Sequence, residues 1–324
     1  MTIREILVPT DGSNTAVRAL GYAIALADRT DARIHIVNVE EREPQLSEVI
    51  AIEESDILAD LHADLSSDEP PVDGELRIEA EHIPDRTVQR TVVCPSAARG
   101  ILTYADEHDI DVVVIGTHGR SGIQRAMMGS VAEEVVRKAP CPVLSVCPKA
   151  GEVDPAVGLQ PHLDRILAAV DLSSATDLVL DQSARIAELF DADVELLHIV
   201  ERVTLPPAYG VGASSLNNEA IEERATRDLE KRAGPLGERG IETSVHVVSG
   251  HASSSILERI DEIKPDLVVL GTHGFTGVKR VILGSVAEQV IRRAPCPVLT
   301  TRTSHREDEK AAGKKRVTST SGGD

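Results

Sequence analysis

Short apolar runs alternate with longer segments of helical spacing along this chain, which predicts strands alternating with helices. Two of the runs, Val112–Ile115 and Leu267–Leu270, are continuously apolar, so both faces of those strands are expected to be buried. That pattern favours a parallel sheet covered by helices on both sides. The strands predicted in the first half are Glu5–Pro9, Arg33–Val39, Glu75–Ala80, Asp111–Gly116 and Val143–Val146. The predicted helices are Ala16–Arg29, Ala97–His108, Ser130–Lys138, Ala175–Phe190, Asn218–Leu236, Ser253–Ile263 and Ser285–Arg293, with a less regular segment at Leu46–Leu65.

The second half of the chain repeats the first. The segment DVVVIGTHGRSGIQRAMMGSVAEEVVRKAPCPVL, from Asp111, returns from Asp266 as DLVVLGTHGFTGVKRVILGSVAEQVIRRAPCPVL, about two thirds identical and without gaps. A repeat distance near 155 residues is far too long for a solenoid unit, so the repeat indicates a duplicated domain. We therefore predict one domain over residues 1–149, a Gly- and Pro-rich linker over 150–161, a second domain over 162–302 and a polar, disordered tail over 303–324.

Composition narrows the classes of partner. The chain has 53 acidic residues against 34 Lys and Arg, a formal net charge of -19, which disfavours nucleic acid as a partner. Arg outnumbers Lys, aromatics are only 2% and Trp is absent, a bias that resembles proteins of salt-accumulating archaea, although an ordinary acidic cytosolic protein is the alternative. The four cysteines form no CxxC pair and no apolar run is long enough to span a membrane. A cytoplasmic protein without a structural zinc site is expected.

A glycine pattern with the character of an anion site occurs in both copies. The fourth predicted strand of copy one ends at Gly116, Gly119 follows in the loop, and Gly129 and Ser130 open the next helix. Glycine permits positive φ and lets backbone N–H groups approach a ligand, while a helix start adds unpaired N–H donors and a partial positive charge. The matching residues of copy two, at identical spacing, are Gly271, Gly274, Gly284 and Ser285. Phosphate is the expected ligand, and glycines that serve only turns are the alternative.

These motifs resemble the universal stress protein family, in its ATP-binding branch. The resemblance is carried by GTHG followed by nine residues and GS, by PTDGS at Pro9–Ser13 and by the closing PCPVL, and it covers nearly the whole chain as two domains. It implies two open, Rossmann-like, five-stranded parallel sheets of order 3-2-1-4-5, with ATP across their C-terminal edges. It also implies that the last strands pair the two domains as an intrachain pseudo-dimer, and it leaves a homodimer of such units open.

The same resemblance implies particular ligand contacts. Asp11 and Asp171 are expected to accept hydrogen bonds from the ribose hydroxyls, and Val39 and Ile199 to flank the adenine. The alternatives are that the two aspartates only cap the following helices and that the two apolar residues are core. The complete expected set is Pro9, Thr10, Asp11, Val39, Gly116, Gly119, Arg120, Gly129, Ser130 and Val131 in copy one, and Ala169, Val170, Asp171, Ile199, Gly250, Gly271, Gly274, Gly284, Ser285 and Val286 in copy two.

The two sites are not expected to be equal. Cys94 stands in copy one where Gly250 stands in copy two, which disfavours ligand in the first site. Conversely, Arg120 offers the first site a planar phosphate donor, where copy two has Phe275. His118 and His273 are single histidines in their loops, without a paired carboxylate or second ligand nearby in sequence, and are interpreted as hydrogen-bonding residues, with a catalytic or metal-ligand role as the alternative. No catalytic residue or protein metal ligand is predicted.

Three functions fit these observations. The first is an ATP-binding stress-response or signalling module. The second is a slow ATPase or phosphotransfer enzyme, assisted by Mg or Mn held by the phosphates. The third is a structural pseudo-dimer with vestigial loops, which retention of every loop glycine in both copies disfavours. The loop lacks the GxxxxGK[ST] pattern of P-loop hydrolases, so fast hydrolysis is not expected.

Overall fold

The computed structural model describes residues 3–42, 51–54, 57, 83–118, 128–148, 161–173, 175–201, 218–272 and 283–301. Strands and helices alternate in both halves, as predicted. The first half contains β1 (Glu5–Thr10), α1 (Asn14–Thr30), β2 (Arg33–Glu41), β3 (Ala51–Glu54), β4 (Thr87–Cys94), α2 (Ala97–Glu107), β5 (Val112–Gly116), α3 (Ser130–Lys138) and β6 (Val143–Val146). The second contains β7 (Arg165–Val170), α4 (Thr176–Phe190), β8 (Asp193–Glu201), α5 (Asn218–Glu238), β9 (Thr243–Gly250), α6 (Ala252–Ile263), β10 (Leu267–Gly271), α7 (Ser285–Arg293) and β11 (Val298–Thr301).

Each half builds a parallel sheet of the expected order. The neighbours are β4-β2-β1-β5-β6 in the first half and β9-β8-β7-β10-β11 in the second, so the order 3-2-1-4-5 is confirmed in both. The two sheets are not separate, because β6 and β11 pair antiparallel, with Leu144 opposite Leu299. The described strands therefore form one continuous 11-stranded sheet.

The outer edge of the first half differs from the sequence prediction. The expected strand Glu75–Ala80 lies outside the described residues, and the strand beside β2 is β4, in register from Ile34 opposite Thr87 to Glu41 opposite Cys94. This segment is rich in β-branched residues but was not predicted as a strand. The helical interpretation of Leu46–Leu65 is wrong at Ala51–Glu54, which forms β3, antiparallel to β4. Pairing with the exposed edge of β4 outweighs the local helical spacing there.

The core has two layers, one on each face of the sheet. In β1, Ile6 and Val8 pack on one face and Leu7 on the other, and all three are completely buried. Helices α1, α4 and α5 cover the first face, and α2, α3, α6 and α7 cover the second. The continuously apolar strands are thus buried on both faces, as predicted. Within the described residues, no helix is long and apolar enough to cross a membrane.

Helix α1 lies very close to the end of β5. A Cβ built on Gly116 would be 2.8 Å from the carbonyl carbon and 3.0 Å from the carbonyl oxygen of Thr15, in the first turn of α1. Only a residue without a side chain fits between this strand and helix. The close approach brings the N-terminal turn of α1 to the C-terminal edge of the sheet.

The contact between the two halves, called the seam below, involves both faces as well as the sheet. On one face, the guanidinium carbon of Arg29 in α1 lies 4.2 Å from the ring centroid of Phe190 in α4. On the other, Arg292 of α7 contacts Glu133 of α3. The seam is therefore made of the β6–β11 pair and one helix pair on each side.

Equivalent buried positions hold different polar networks in the two halves. In the first half, His35 of β2 lies 2.8 Å from the Tyr104 hydroxyl through Nδ1 and 2.7 Å from Glu5 Oε2 through Nε2. A carboxylate only accepts, so Nε2–H donates to Glu5 and Nδ1 accepts from Tyr104. In the second half the positions of His35 and Tyr104 are taken by Glu195 and Arg259, which form a bidentate ion pair.

The histidine network predicts an acid-sensitive first half. Burial lowers the pKa of His35 below its usual 6.5, despite the opposing effect of Glu5. As the pH falls, the unfolded chain protonates this histidine near pH 6.5, whereas the folded chain does so only at a lower pH. The contribution of His35 to the free energy of unfolding is therefore present above pH 6.5 and is lost as the pH falls below it. We expect His35→Gln to flatten the loss of unfolding free energy between pH 7 and 5, measured by urea denaturation. An unchanged pH slope would contradict this role.

Candidate functional site

A cavity opens at the C-terminal edge of the first half. Its volume is about 320 Å³, and it lies between the ends of β1, β2 and β5 and the first turn of α3. The sequence-predicted residues that border it are Pro9, Thr10, Asp11, Val39, Gly116, Gly129, Ser130 and Val131. Gly119 and Arg120 lie outside the described residues. Every predicted residue of copy one that the structure describes therefore borders a single cavity.

The second half has a larger cavity at the equivalent place. Its volume is about 740 Å³, and the predicted residues that border it are Ala169, Val170, Asp171, Ile199, Gly271, Gly284, Ser285 and Val286. Gly274 lies outside the described residues. Gly250 ends β9 and is not among the residues that border this cavity, and a Cβ there would lie too close to Ser255 Oγ unless that side chain rotated. Both volumes fall in the range of small-molecule pockets, about 300–1,000 Å³.

The first turns of α3 and α7 point at these cavities. Gly129 N–H donates to Thr117 O at 2.8 Å and Glu133 N–H to Gly129 O at 3.0 Å, which leaves the N–H groups of 130–132 without an intrahelical acceptor. Gly284 has the same arrangement, with Thr272 O at 2.9 Å. The φ angles of the two glycines are -62° and -61°, so positive φ is not the reason for glycine at these positions. A Cβ at Gly284 would lie 3.1 Å from Thr272 O, a tight contact, and one at Gly129 would lie 3.5 Å from Thr117 O, an ordinary one, so a side chain at either position would face the end of the preceding strand.

Asp171 has an unsatisfied carboxylate oxygen at the second cavity. Its Oδ1 accepts from Ser173 N–H at 3.0 Å, whereas Oδ2 is buried and has no hydrogen-bond partner among the described residues. Neither aspartate is itself the N-cap residue of the following helix, because α4 has Ala175 as its N-cap and α1 has Ser13. A buried carboxylate oxygen without a donor is costly, and a ligand hydroxyl would satisfy it.

His118 presents a defined tautomer at the first cavity. The Thr117 hydroxyl donates to Val146 O at 3.3 Å, so it accepts from His118 Nδ1–H at 2.9 Å. His118 Nε2 is then a bare acceptor, buried and without a hydrogen-bond partner in the described part of the chain. Burial lowers the pKa of His118, which favours this neutral form. The prediction of a hydrogen-bonding loop residue fits this geometry, while the equivalent His273 lies outside the described residues.

The sequence of each half matches a known protein family. A family model described as the universal stress protein family matches residues 2–146 and 162–302, most of the chain and each half once. This chain belongs to the universal stress protein family.

Individual universal stress proteins align over one or both halves. One from Synechocystis is 26% identical over 324 residues, covering 93% of this chain and 100% of the relative. One from Methanocaldococcus jannaschii is 32% identical over 143 residues, covering 44% of this chain and 84% of the relative. The crystal structure of a universal stress protein from Archaeoglobus fulgidus superimposes with a TM-score of 0.58 at 19% identity, covering 93% of this chain and 99% of that one. The last comparison supports the fold.

Helix α5 contributes cavity residues that sequence reasoning missed. Ile221, Arg224 and Asp228 lie along one side of this helix and border the second cavity, joined by Glu201 from the end of β8. Ile221 is 46% exposed, unusual for so large an apolar side chain. The sequence gives little indication of this wall, because a helix with many charged residues of both signs is expected to face solvent. In this universal stress protein, α5 therefore gives the second cavity a wall with both charge signs.

The described residues offer no protein metal cluster. No group of three or more His, Cys, Asp or Glu side chains in the described ranges is placed to hold a metal ion. A cation at these cavities would need ligand oxygens, such as phosphates, as its main donors. The universal stress protein cavities thus combine an anion-binding helix start, a carboxylate and apolar walls.

Proposed function

We propose that this universal stress protein binds ATP in both cavities and acts as a nucleotide-dependent stress-response or signalling module. The observation that carries the proposal is the arrangement at the second cavity. A carboxylate oxygen of Asp171 that has no hydrogen-bond partner among the described residues borders the same space as the open N-terminus of α7, which suits a ligand with hydroxyl groups at one end and phosphates at the other. ATP has both.

The remaining walls fit a nucleotide as well. Val39 and Ile101 in the first cavity, and Ile199 and Ile256 in the second, offer apolar contact for a base. The N–H groups of 130–132 and 285–287 would hold phosphate oxygens. Mg or Mn, where present, would be held mainly by those phosphates and would neutralise part of their charge.

The signal would arise by linkage. A ligand that binds only the folded state stabilises it by about 2.7 kcal/mol at a hundredfold excess over Kd. ATP occupancy would thereby change the stability, and the partner surface, of both halves, which we propose act as one pseudo-two-fold unit in the cytoplasm. Membership of the ATP-binding branch and adaptation to concentrated salt are parts of the same proposal, and the net charge of -19 supports the second.

Calorimetric titration of ATP into nucleotide-free protein at high salt tests the proposal. Two ATP per chain are expected, and no adenine-nucleotide binding would refute it. Turnover at or above about 1 per second, the low end of typical kcat values, would favour an enzyme instead of a binding module.

Loss of the Asp171 carboxylate should weaken the second site. Hydrogen bonds to a charged group contribute about 1.5–3 kcal/mol, so Asp171→Ala should raise the Kd of that site by about tenfold or more. Asp11→Ala should act likewise on the first site. The matched control is Asp193→Ala, because Asp193 is exposed at the opposite, N-terminal end of the strands and should leave both affinities unchanged. Equal effects of all three substitutions would point to net charge and contradict the site assignment.

A further inference from the structure

One arginine joins the first turns of the two helices whose N-termini open on the cavities. Arg292 Nη2 lies 3.2 Å from Glu133 Oε2 and 2.9 Å from Glu288 Oε1. Glu133 is in the first turn of α3, and Glu288 occupies the equivalent place in α7. The guanidinium of Arg292 therefore bridges two carboxylates in the first turns of helices that border different cavities.

Each of these glutamates lies one helical turn from its anion site and makes a backbone hydrogen bond to the glycine at the helix start. Glu133 N–H donates to Gly129 O at 3.0 Å and Glu288 N–H to Gly284 O at 2.9 Å, so each glutamate follows directly on the free N–H groups of its helix. The three side chains are 27–38% exposed, hence only partly screened by solvent. A charge placed at either helix start is felt by the glutamate one turn away and, through it, by Arg292.

We propose that the two cavities are negatively coupled through Arg292. The inference rests on the proposed function, because it concerns the binding of an anionic nucleotide at both helix starts. An anion at the start of α3 makes the surroundings of Glu133 more negative, which draws Arg292 toward Glu133. Glu288 then loses part of its compensating charge, and the start of α7 becomes a poorer anion site. Linkage makes the effect reciprocal.

The coupling can be measured as a ratio of binding constants. The chain with Gly284→Val reports the affinity of the first site alone, and Gly129→Val reports that of the second. The product of these two association constants is compared with the overall association constant for filling both sites of the unmodified chain, all with ATP and by calorimetry at the lowest salt concentration at which the chain stays folded. We expect the overall constant to be about fivefold smaller than the product, at the low end of known couplings.

Substitution of the bridge identifies its source. In the background of Arg292→Met the overall constant should equal the product within twofold. The matched control is Arg293→Met, which removes the same charge from the next residue of α7, an exposed one that makes no ion pair with the described part of the chain. In the Arg293→Met background the overall constant should remain about fivefold smaller than the product. Arg292→Lys, which keeps the charge but lacks the planar fork, gives a second variant should the methionine variant not fold, and its deficit should be smaller than fivefold.

The outcomes separate the two proposals. If the unmodified chain binds two ATP with an overall constant equal to the product, or if Arg293→Met abolishes the deficit as fully as Arg292→Met, the coupling is refuted and ATP binding stands. If the unmodified chain binds no ATP, the proposed function fails and the coupling with it. A deficit that disappears only in the Arg292 variants, and that shrinks as salt is raised, supports the bridge.

Discussion

Replacement of Arg259 by methionine is expected to lower the unfolding free energy of the second half by about 3 kcal/mol. Arg259 Nε and Nη2 donate to the two carboxylate oxygens of Glu195 at 2.6 and 2.8 Å, and the Glu195 side chain is only 11% exposed. The hydrogen bonds to Glu195 raise the pKa of Arg259 above its usual value, so the arginine stays charged. Without the arginine, Glu195 would keep a nearly buried charge or take up a proton. Urea denaturation measures the loss.

A double substitution separates the cost of an orphaned charge from the value of the pair. Glu195→Met together with Arg259→Met replaces the two ions by apolar side chains of similar length, an exchange that is often neutral in proteins. We expect the double variant to recover most of the stability that Arg259→Met loses. A double variant as unstable as the single one would mean that the ion pair itself, and not the abandoned carboxylate, stabilises the packing of α6 on β8.

Addition of one methyl group at Gly116 should destabilise the first half by about 2 kcal/mol. The new Cβ would lie 2.8 Å from the Thr15 carbonyl carbon, a contact with backbone that cannot move aside like a flexible side chain. The start of α1 must therefore shift away from β5. Because Asp11 and Ser13 immediately precede this helix, Gly116→Ala should also weaken ATP binding at the first site, with both effects visible in denaturation and calorimetry.

The same substitution elsewhere provides the control. Gly237 lies in α5, and a Cβ there would meet no atom within 4 Å. Alanine favours a helix over glycine by up to about 1 kcal/mol, so Gly237→Ala should leave stability unchanged or raise it. If the two glycine substitutions were equally destabilising, the close approach of α1 to β5 would not be the cause.

The central strands and most helices could be predicted because their signals are local. The spacing of apolar residues in α3 and α7 gave both helices their observed bounds, Ser130–Lys138 and Ser285–Arg293. The edge of the first sheet could not be obtained that way. Strand β4, TVQRTVVC, has Gln89 and Arg90 in its middle and no regular alternation of polar and apolar residues. Strand β3 pairs with β4, a contact between separate segments that a local sequence pattern does not reveal.

The candidate site was predicted where its residues come from repeated motifs and missed where they come from the rest of the chain. The motif residues of both copies, as far as described, border the cavities, with Gly250 as the exception. The wall formed by α5 has no motif. Backbone geometry was also hidden: Gly12 has φ of 75°, and Leu172, its equivalent, adopts φ of 60° although leucine disfavours that region. The fold imposes the turn whichever residue stands there.

The antiparallel pairing of β6 with β11 lets the two sides of the contact change independently in sequence. Two separate identical chains meeting through this strand would present every substitution twice, once on each side of the symmetry axis. Here the two sides are encoded separately within one chain, which keeps them at an effective concentration on the order of millimolar. Arg29 and Phe190 meet on one side, whereas their sequence equivalents are Leu189 and Thr30. A substitution in one half therefore leaves the other half unchanged, so the two halves can diverge in function.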